Sequence, residues 1–197
     1  MDQDAIVTTG LDFKFSEEIA NIPGGENIRK CYACGGCTIG CPVFEIDERY
    51  NPRKIIRMVL LGMRNEVLNS DVIWLCANCY TCFERCPQNV QFTTISHAIK
   101  NIAIKEAKKG KVKKTPVYYF IVVFLKSLMQ HGRPLETEVI FKLILLRKDV
   151  KKAIAYLPLG LKMFKKGKIL LLPQRIKDRK VIKRIFNKTK TNPSENE

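Results

Sequence analysis

Residues 31–42 read CYACGGCTIGCP, and residues 76–87 read CANCYTCFERCP. Each stretch spaces its cysteines as C-x2-C-x2-C-x3-C and closes on a proline. The first supplies Cys31, Cys34, Cys37, Cys41 and Pro42; the second supplies Cys76, Cys79, Cys82, Cys86 and Pro87. The second run is the first displaced by 45 positions, and together they use all 8 cysteines of the 197-residue chain. A constant displacement with no cysteine left over marks an internal duplication of one ligand-bearing unit.

Three thiolates at a spacing of three wrap three corners of one compact cluster. The fourth cysteine of each run, four positions on, has turned away from that cluster, and in two-cluster ferredoxins it ligates the other one. The proline after it donates no N–H and fixes φ, which suits a sharp departure of the chain. The reading is therefore two [4Fe–4S] clusters with crossed ligands: Cys31, Cys34, Cys37 and Cys86 on the first, and Cys76, Cys79, Cys82 and Cys41 on the second. Structural zinc more often takes two C-x2-C pairs set well apart. A disulfide framework belongs to exported chains. The N-terminal MDQDAIVTTGLDFKF has no basic region, apolar core or small-residue cleavage site of an export signal. A reducing, cytoplasmic location is expected.

The segment joining the two runs decides the architecture. In NPRKIIRMVLLGMRNEVLNSDVIW, Asn51 can cap a helix and Pro52 suits its first position. Ile55, Ile56, Val59, Leu60, Met63 and Val67 then fall on one side. After Pro87, Thr93 or Thr94 is the expected cap of a second helix. Its stripe is Ile95, Ala98, Ile99, Ile102 and Ala103, and its stop is Gly110. Neither segment alternates as a strand does. The fold class is all-α, an alpha-helical ferredoxin domain with a helical, basic C-terminal extension. Beside the ligands, Gly35 and Gly36 let the backbone approach sulfur. Tyr32, Phe44, Trp74, Tyr80 and Phe83 are candidates for excluding water from the clusters.

Charge divides the chain further. The 35 Lys+Arg against 19 Asp+Glu give a net +16 at pH 7. Residues 1–30 carry −3, residues 31–100 carry +1 and residues 101–197 carry +18. Three parts are expected: a leader at 1–25, the two-cluster domain at 26–110 and a basic helical partner-docking extension at 111–197. The extension holds apolar stretches at 117–125, 139–146, 153–161 and 169–173, each well short of the ~20 residues of a membrane span. Pro116, Pro134, Pro158 and Pro173 are expected to break it into short helices, with fraying from Lys183 onward. Lysines alternating with large aliphatics favour a protein partner over nucleic acid, whose sites interleave bases with stacking aromatics.

No catalytic constellation stands beside the cysteines. There is no G-x-G-x-x-G, no phosphate-binding loop and no spare cysteine for a nucleophile, and His97 and His131 sit in no ligand spacing. No catalytic residue is assigned. A chain that carries electrons without a substrate site is normally one member of an oxidoreductase complex.

The two cysteine runs, the intervening NPRKIIRMVLLG and the phrase WLCANCYTCFERCPQNV resemble the C subunit of the heterodisulfide reductases of methanogenic archaea. The resemblance covers about residues 25 to 105. It implies an electron relay in methanogenesis, from an A subunit that bears flavin and iron–sulfur clusters to a catalytic B subunit. The latter bears CCG-type clusters and reduces the disulfide of coenzyme M and coenzyme B. A hydrogenase or formate dehydrogenase would stand upstream. The same module is similar to those of succinate/fumarate, glycerol-3-phosphate and lactate or glycolate oxidoreductases. The succinate type adds a [2Fe–2S] domain, and the glycerol-3-phosphate type adds CCG domains. Neither the extra cysteines nor a CC pair occurs here. A nucleic-acid-binding protein with structural clusters is the reading from a different class.

Overall fold

The computed structural model describes residues 10–147, 150–167, 176 and 179–190. These residues form helices joined by turns, with no strand among them, as the periodicity predicts. Two compact units make up the chain, Met1–Lys113 and Lys114–Glu197.

The first unit holds α1 (Lys14–Ala20), α2 (Gly36–Ile39), α3 (Pro42–Ile46), α4 (Pro52–Leu60), α5 (Arg64–Asn69), α6 (Thr81–Glu84) and α7 (Phe92–Lys108). Short 3-10 turns at Ile28–Lys30 and Asp71–Leu75 lead into the two cysteine runs. The start of α4 is as expected. Asn51 caps it by accepting the Lys54 N–H at 3.0 Å, and Pro52 fills the first turn, where its missing N–H costs nothing. Ile55, Ile56 and Val59 are buried.

The stripe does not run on as one helix. Gly62 adopts φ +75°, and its carbonyl accepts the Asp12 N–H at 2.7 Å. That turn ends α4 and restarts the chain as α5. Val67 remains buried, while Leu60 and Met63 are only half-covered. The second helix begins at Phe92 with Gln91 at its cap, so Thr93 and Thr94 lie in its first turn and cap nothing. Its end is as expected. Gly110 at φ +77° lets its own N–H reach the Ala107 carbonyl and the Lys111 N–H reach the Glu106 carbonyl, satisfying two terminal acceptors. Ile95, Ala98, Ile99, Ile102 and Ala103 are all buried.

The leader contributes to this core. Phe15 and Ile19 of α1 are fully buried, and α1 packs against α4 and α7. Arg64 of α5 lies beside them, its side chain 19% exposed. It bonds Glu18 and approaches Asp12 at 3.5 Å and Glu106 at 3.6 Å. Its guanidinium stands 5.0 Å from the centre of the Phe15 ring. One arginine thus joins α1, α5 and α7 through opposite charges in a partly desolvated place, where such bonds outlast those at a fully wetted surface.

The second unit holds α8 (Pro116–His131), α9 (Glu136–Arg147), α10 (Val150–Lys165) and α11 (Arg179–Lys190). Thr115 caps α8 by accepting the Tyr118 N–H, Pro116 takes the first turn, and Gly132 at φ +78° ends the helix. Ser127 and Glu138 hold α8 to α9 at 3.0 Å, with His131 and Lys142 also on Glu138. Pro134 falls between α8 and α9, as expected. Pro158 instead lies inside α10, which continues past it. Pro173 and the apolar stretch at 169–173 lie outside the described residues. So do residues 191–197 of the expected frayed end, whereas Lys183–Lys190 belong to α11. No described helix is long and apolar enough to cross a membrane. Many of the unit's apolar side chains face outward, among them Phe120, Phe141, Leu145, Leu161 and Phe164.

Candidate iron–sulfur sites

The duplication read from the cysteine spacing extends to the backbone. Ala33 and Asn78, 45 positions apart, both take positive φ, at 61° and 55°. Gly35 and Tyr80 do the same at 85° and 60°. The one-turn helices α2 and α6 start at equivalent positions, and Ile28 and Ile73 are the equivalent buried anchors of the preceding turns. Left-handed residues interleaved with right-handed ones turn successive N–H groups to one side. The resulting concavity suits anions and iron–sulfur groups. For Ala33 and Tyr80, which have a Cβ, the conformation costs about 1–2 kcal/mol each. Such strain persists where the surroundings impose it, and here it falls between ligand candidates.

Two clefts open between the repeats. The first, of about 380 Å³, is lined by Cys31, Cys34, Cys37 and Cys86, together with Arg53, Ile56, Val90 and Phe92. The second, of about 280 Å³, is lined by Cys41, Cys76, Cys79 and Cys82, together with Val43, Tyr50, Pro52, Phe92 and Thr93. Each cleft therefore gathers three cysteines of one run and the fourth of the other. Packing of α2 against α6 brings the two runs together. Among the described residues no three thiol, imidazole or carboxylate groups converge on a point that would hold a single ion. The thiols stand around a volume instead.

The thiols differ in their surroundings. Burial pushes the Cys37 thiol up to about 11, and burial also raises Cys82. Cys79 is exposed, and its hydrogen bond with the Thr81 side chain lowers it. Ligation needs thiolates, so the buried pair requires the positive charge of bound iron to release its protons. Donors toward sulfur are present: the Val90 N–H reaches Cys86 Sγ at 3.2 Å, and the Thr93 hydroxyl lies 3.3 Å from Cys82 Sγ. Tyr50 is buried, and burial followed by its hydrogen bond with Cys76 raises its phenol. The Lys100 ammonium is lowered by burial, with Cys76 pulling the other way.

Several residues of the clefts were not visible in the spacing. Phe92 lines both clefts, and its ring centre lies 6.5 Å from that of Tyr50. Thr93 serves sulfur where a helix cap was expected. Arg53, Ile56 and Val90 complete the first cleft. Of the aromatics singled out beside the ligands, Phe44, Trp74 and Phe83 are partly covered, whereas Tyr32 is 59% exposed and Tyr80 52%. Those two project outward at the rim, Tyr32 just before the left-handed Ala33 and Tyr80 in the left-handed conformation itself. His97 is exposed on α7.

Residues 27–90 match the family described as 4Fe-4S dicluster domain, and eight cysteines in two sets of four fit two [4Fe–4S] clusters. The chain is 38% identical over 116 residues to the C2 subunit of the H(2)/formate:CoB-CoM heterodisulfide,ferredoxin reductase of Methanococcus maripaludis, covering 59% of each chain. It is 47% identical over 87 residues to the second iron-sulfur C subunit of the CoB–CoM heterodisulfide reductase of Methanocaldococcus jannaschii, covering 44% of each. A third relative, the iron-sulfur C subunit of the Methanopyrus kandleri CoB–CoM heterodisulfide reductase, is 37% identical over 95 residues, 48% of this chain and 49% of the relative. The chain spans about half the length of the curated relatives it matches.

Proposed function

We propose, starting from the 4Fe-4S dicluster domain at residues 27–90, that this chain is the iron–sulfur electron-transfer subunit of a heterodisulfide reductase complex. The observation that carries the reading is the division of eight thiols between two clefts, four to each. Cys31, Cys34, Cys37 and Cys86 hold one [4Fe–4S] cluster, and Cys76, Cys79, Cys82 and Cys41 hold the other. Such a cluster supplies one-electron storage and transfer.

The chain's own residues hold, screen and dock. The left-handed turns fall between the ligands of each run, and Val90 and Thr93 supply donors to sulfur. Phe92, which lines both clefts, and Tyr50, which lines the second, keep water from the space around the clusters. The helices α4 and α7 fix the loops so that little rearranges when charge arrives. No group on this domain is set to transform a substrate; the chain relays. The names of the relatives, together with the resemblance of the cysteine runs, support a flow of single electrons from a flavin-bearing A subunit to a B subunit that reduces the coenzyme M–coenzyme B disulfide. The upstream donor is a hydrogenase or formate dehydrogenase, and the complex is cytoplasmic. The basic segment at 111–197, with its outward apolar side chains, is the docking extension.

Anaerobic purification tests the first part: about eight iron and eight labile sulfide per chain are expected. Zinc without labile sulfide would sink it. Affinity capture tests the second part. A flavin-bearing chain and a CCG-containing chain should co-purify, and capture of the components of a different oxidoreductase would move the relay to that complex.

A further inference from the structure

The two clefts repeat their cysteines but not the hydroxyl groups beside them. At the second cleft, Thr93 is 1% exposed and its hydroxyl lies 3.3 Å from Cys82 Sγ. Tyr50, also 1% exposed, lines the same cleft, and its hydroxyl is hydrogen-bonded with Cys76. The hydroxyls near the first cleft are committed elsewhere or wetted. Thr38 Oγ1 stands 4.0 Å from Cys37 Sγ, but its one hydrogen goes to Asn51 Oδ1 at 3.0 Å while its oxygen accepts the Arg53 N–H at 3.1 Å. Tyr32 lines that cleft and has a hydrogen bond with Cys34, yet it is 59% exposed, so water competes for its hydroxyl.

Ligation fixes the direction of the bonds at the second cleft. A cysteine bound to iron has lost its proton, so its sulfur can only accept and the hydroxyl must donate. Both hydroxyls are presented by packed elements. Thr93 sits in the first turn of α7, which packs on the helix α6 that carries Cys82. Tyr50 immediately precedes the Asn51 cap of α4, and its ring centre lies 6.5 Å from that of Phe92. A buried donor has no bulk water to turn to, and in the low local dielectric its bond to sulfur is the stronger one.

We infer that the Thr93 and Tyr50 hydroxyls are positioning donors for the cluster held by Cys76, Cys79, Cys82 and Cys41, where they favour its reduced state over its oxidised one. This rests on the reading that two clusters are bound. A cluster held by four thiolates is anionic, and one-electron reduction adds a further negative charge that spreads onto its sulfurs. A donated hydrogen bond strengthens as its acceptor gains negative charge. Each hydroxyl therefore stabilises the reduced form more than the oxidised one, raising the potential. Arg53 lines the first cleft and is exposed. Its charge acts on the other cluster through water and salt, which screen it.

The test is a redox titration of the anaerobically purified, cluster-loaded full chain, followed by electron paramagnetic resonance. Each signal is assigned by its loss in Cys34→Ser or Cys79→Ser. Thr93→Val and Tyr50→Phe each remove one hydroxyl and keep nearly the same shape. At a fixed potential each should lower the reduced-to-oxidised ratio of the Cys79-assigned cluster roughly threefold, about 28 mV for one electron, and the double variant roughly tenfold, about 59 mV. The other cluster should stay put, and Thr93→Ser should keep the wild-type ratio. Electron–nuclear double resonance should show protons exchangeable in heavy water coupled to that cluster, fewer in each single variant. Unmoved potentials in loaded Thr93→Val and Tyr50→Phe overturn the inference, as does an equal shift of both clusters. A shift in one variant alone overturns the assignment of the other residue. If one variant fails to load the second cluster, the other decides. If both fail, the hydroxyls hold the cluster rather than set its potential, which also overturns the inference. Wild-type iron and sulfide contents judge the two-cluster reading separately.

Discussion

Replacing Gly62 by alanine perturbs the turn between α4 and α5 in two ways that the structure separates. The φ of +75° costs a residue with a Cβ about 1 kcal/mol. The Cβ itself would stand 2.7 Å from the Asp12 carbonyl oxygen and 2.8 Å from the Asp12 carbonyl carbon. Both are backbone atoms and cannot swing aside as a side-chain tip can. The segment leading into α1 must shift, stretching the 2.7 Å Asp12 N–H to Gly62 carbonyl bond, worth about 1 kcal/mol. Looser seating of Phe15 and Ile19 adds about another 1 kcal/mol, for a total near 3 kcal/mol. Gly110→Ala is the matched control: its φ is +77°, yet nothing lies within 4 Å of the added Cβ, so only the backbone term of about 1 kcal/mol remains. Thermal melts of the cluster-loaded chains, followed anaerobically by circular dichroism, read the difference. At roughly 4–8 °C per kcal/mol for a domain of this size, Gly110→Ala should melt slightly lower and Gly62→Ala at least twice as far down. Equal shifts for the two variants would refute the reasoning that approach to the Asp12 backbone, rather than φ alone, sets the cost.

Three further outcomes are expected. Cys41→Ser should halve the iron content to about four per chain by costing the cluster of Cys76, Cys79 and Cys82. Loss of the signal belonging to Cys31, Cys34 and Cys37 would contradict the crossed ligation. Glu138 is held below its ordinary 4.5, first by its hydrogen bond with Lys142 and then by Ser127. A depressed carboxylate contributes stability above its unfolded pKa and loses it as pH falls through the folded one. The α8–α9 junction should therefore loosen only below about pH 4.5, and Glu138→Gln should abolish that step in an acid titration followed by the Tyr118 and Tyr119 fluorescence environment. Truncation after Gly110 should leave both clusters formable and weaken capture of partner chains. Undiminished capture would remove the docking role from the C-terminal segment.

The ligands were legible in the sequence because a binding loop writes itself locally: each run places its cysteines within eleven residues, and the 45-residue displacement is visible without any structure. The starts and stops of helices were legible for the same reason. Asn51 with Pro52, and Gly110, act through bonds to residues no more than five positions away. The remainder of the clefts was not legible. Phe92 lies outside both cysteine runs, and only the packing of α7 brings it to both sites. Thr93 carried a cap signal, and its hydroxyl went to Cys82 instead, because the helix had already begun one residue earlier.

By itself, then, the sequence determined the thiol chemistry, the duplicated turns and the helical class, since these depend on residue type and on spacings within a turn or two. Tertiary structure alone decided that Gly62 would divide the expected stripe, because Asp12 presses on it from 50 positions away. It also decided that Arg64 would be surrounded by acids from two separate segments, Asp12 and Glu18 at α1 and Glu106 on α7. Counter-charges and close backbone approaches come from residues far apart in the chain, and no local pattern records where those residues meet.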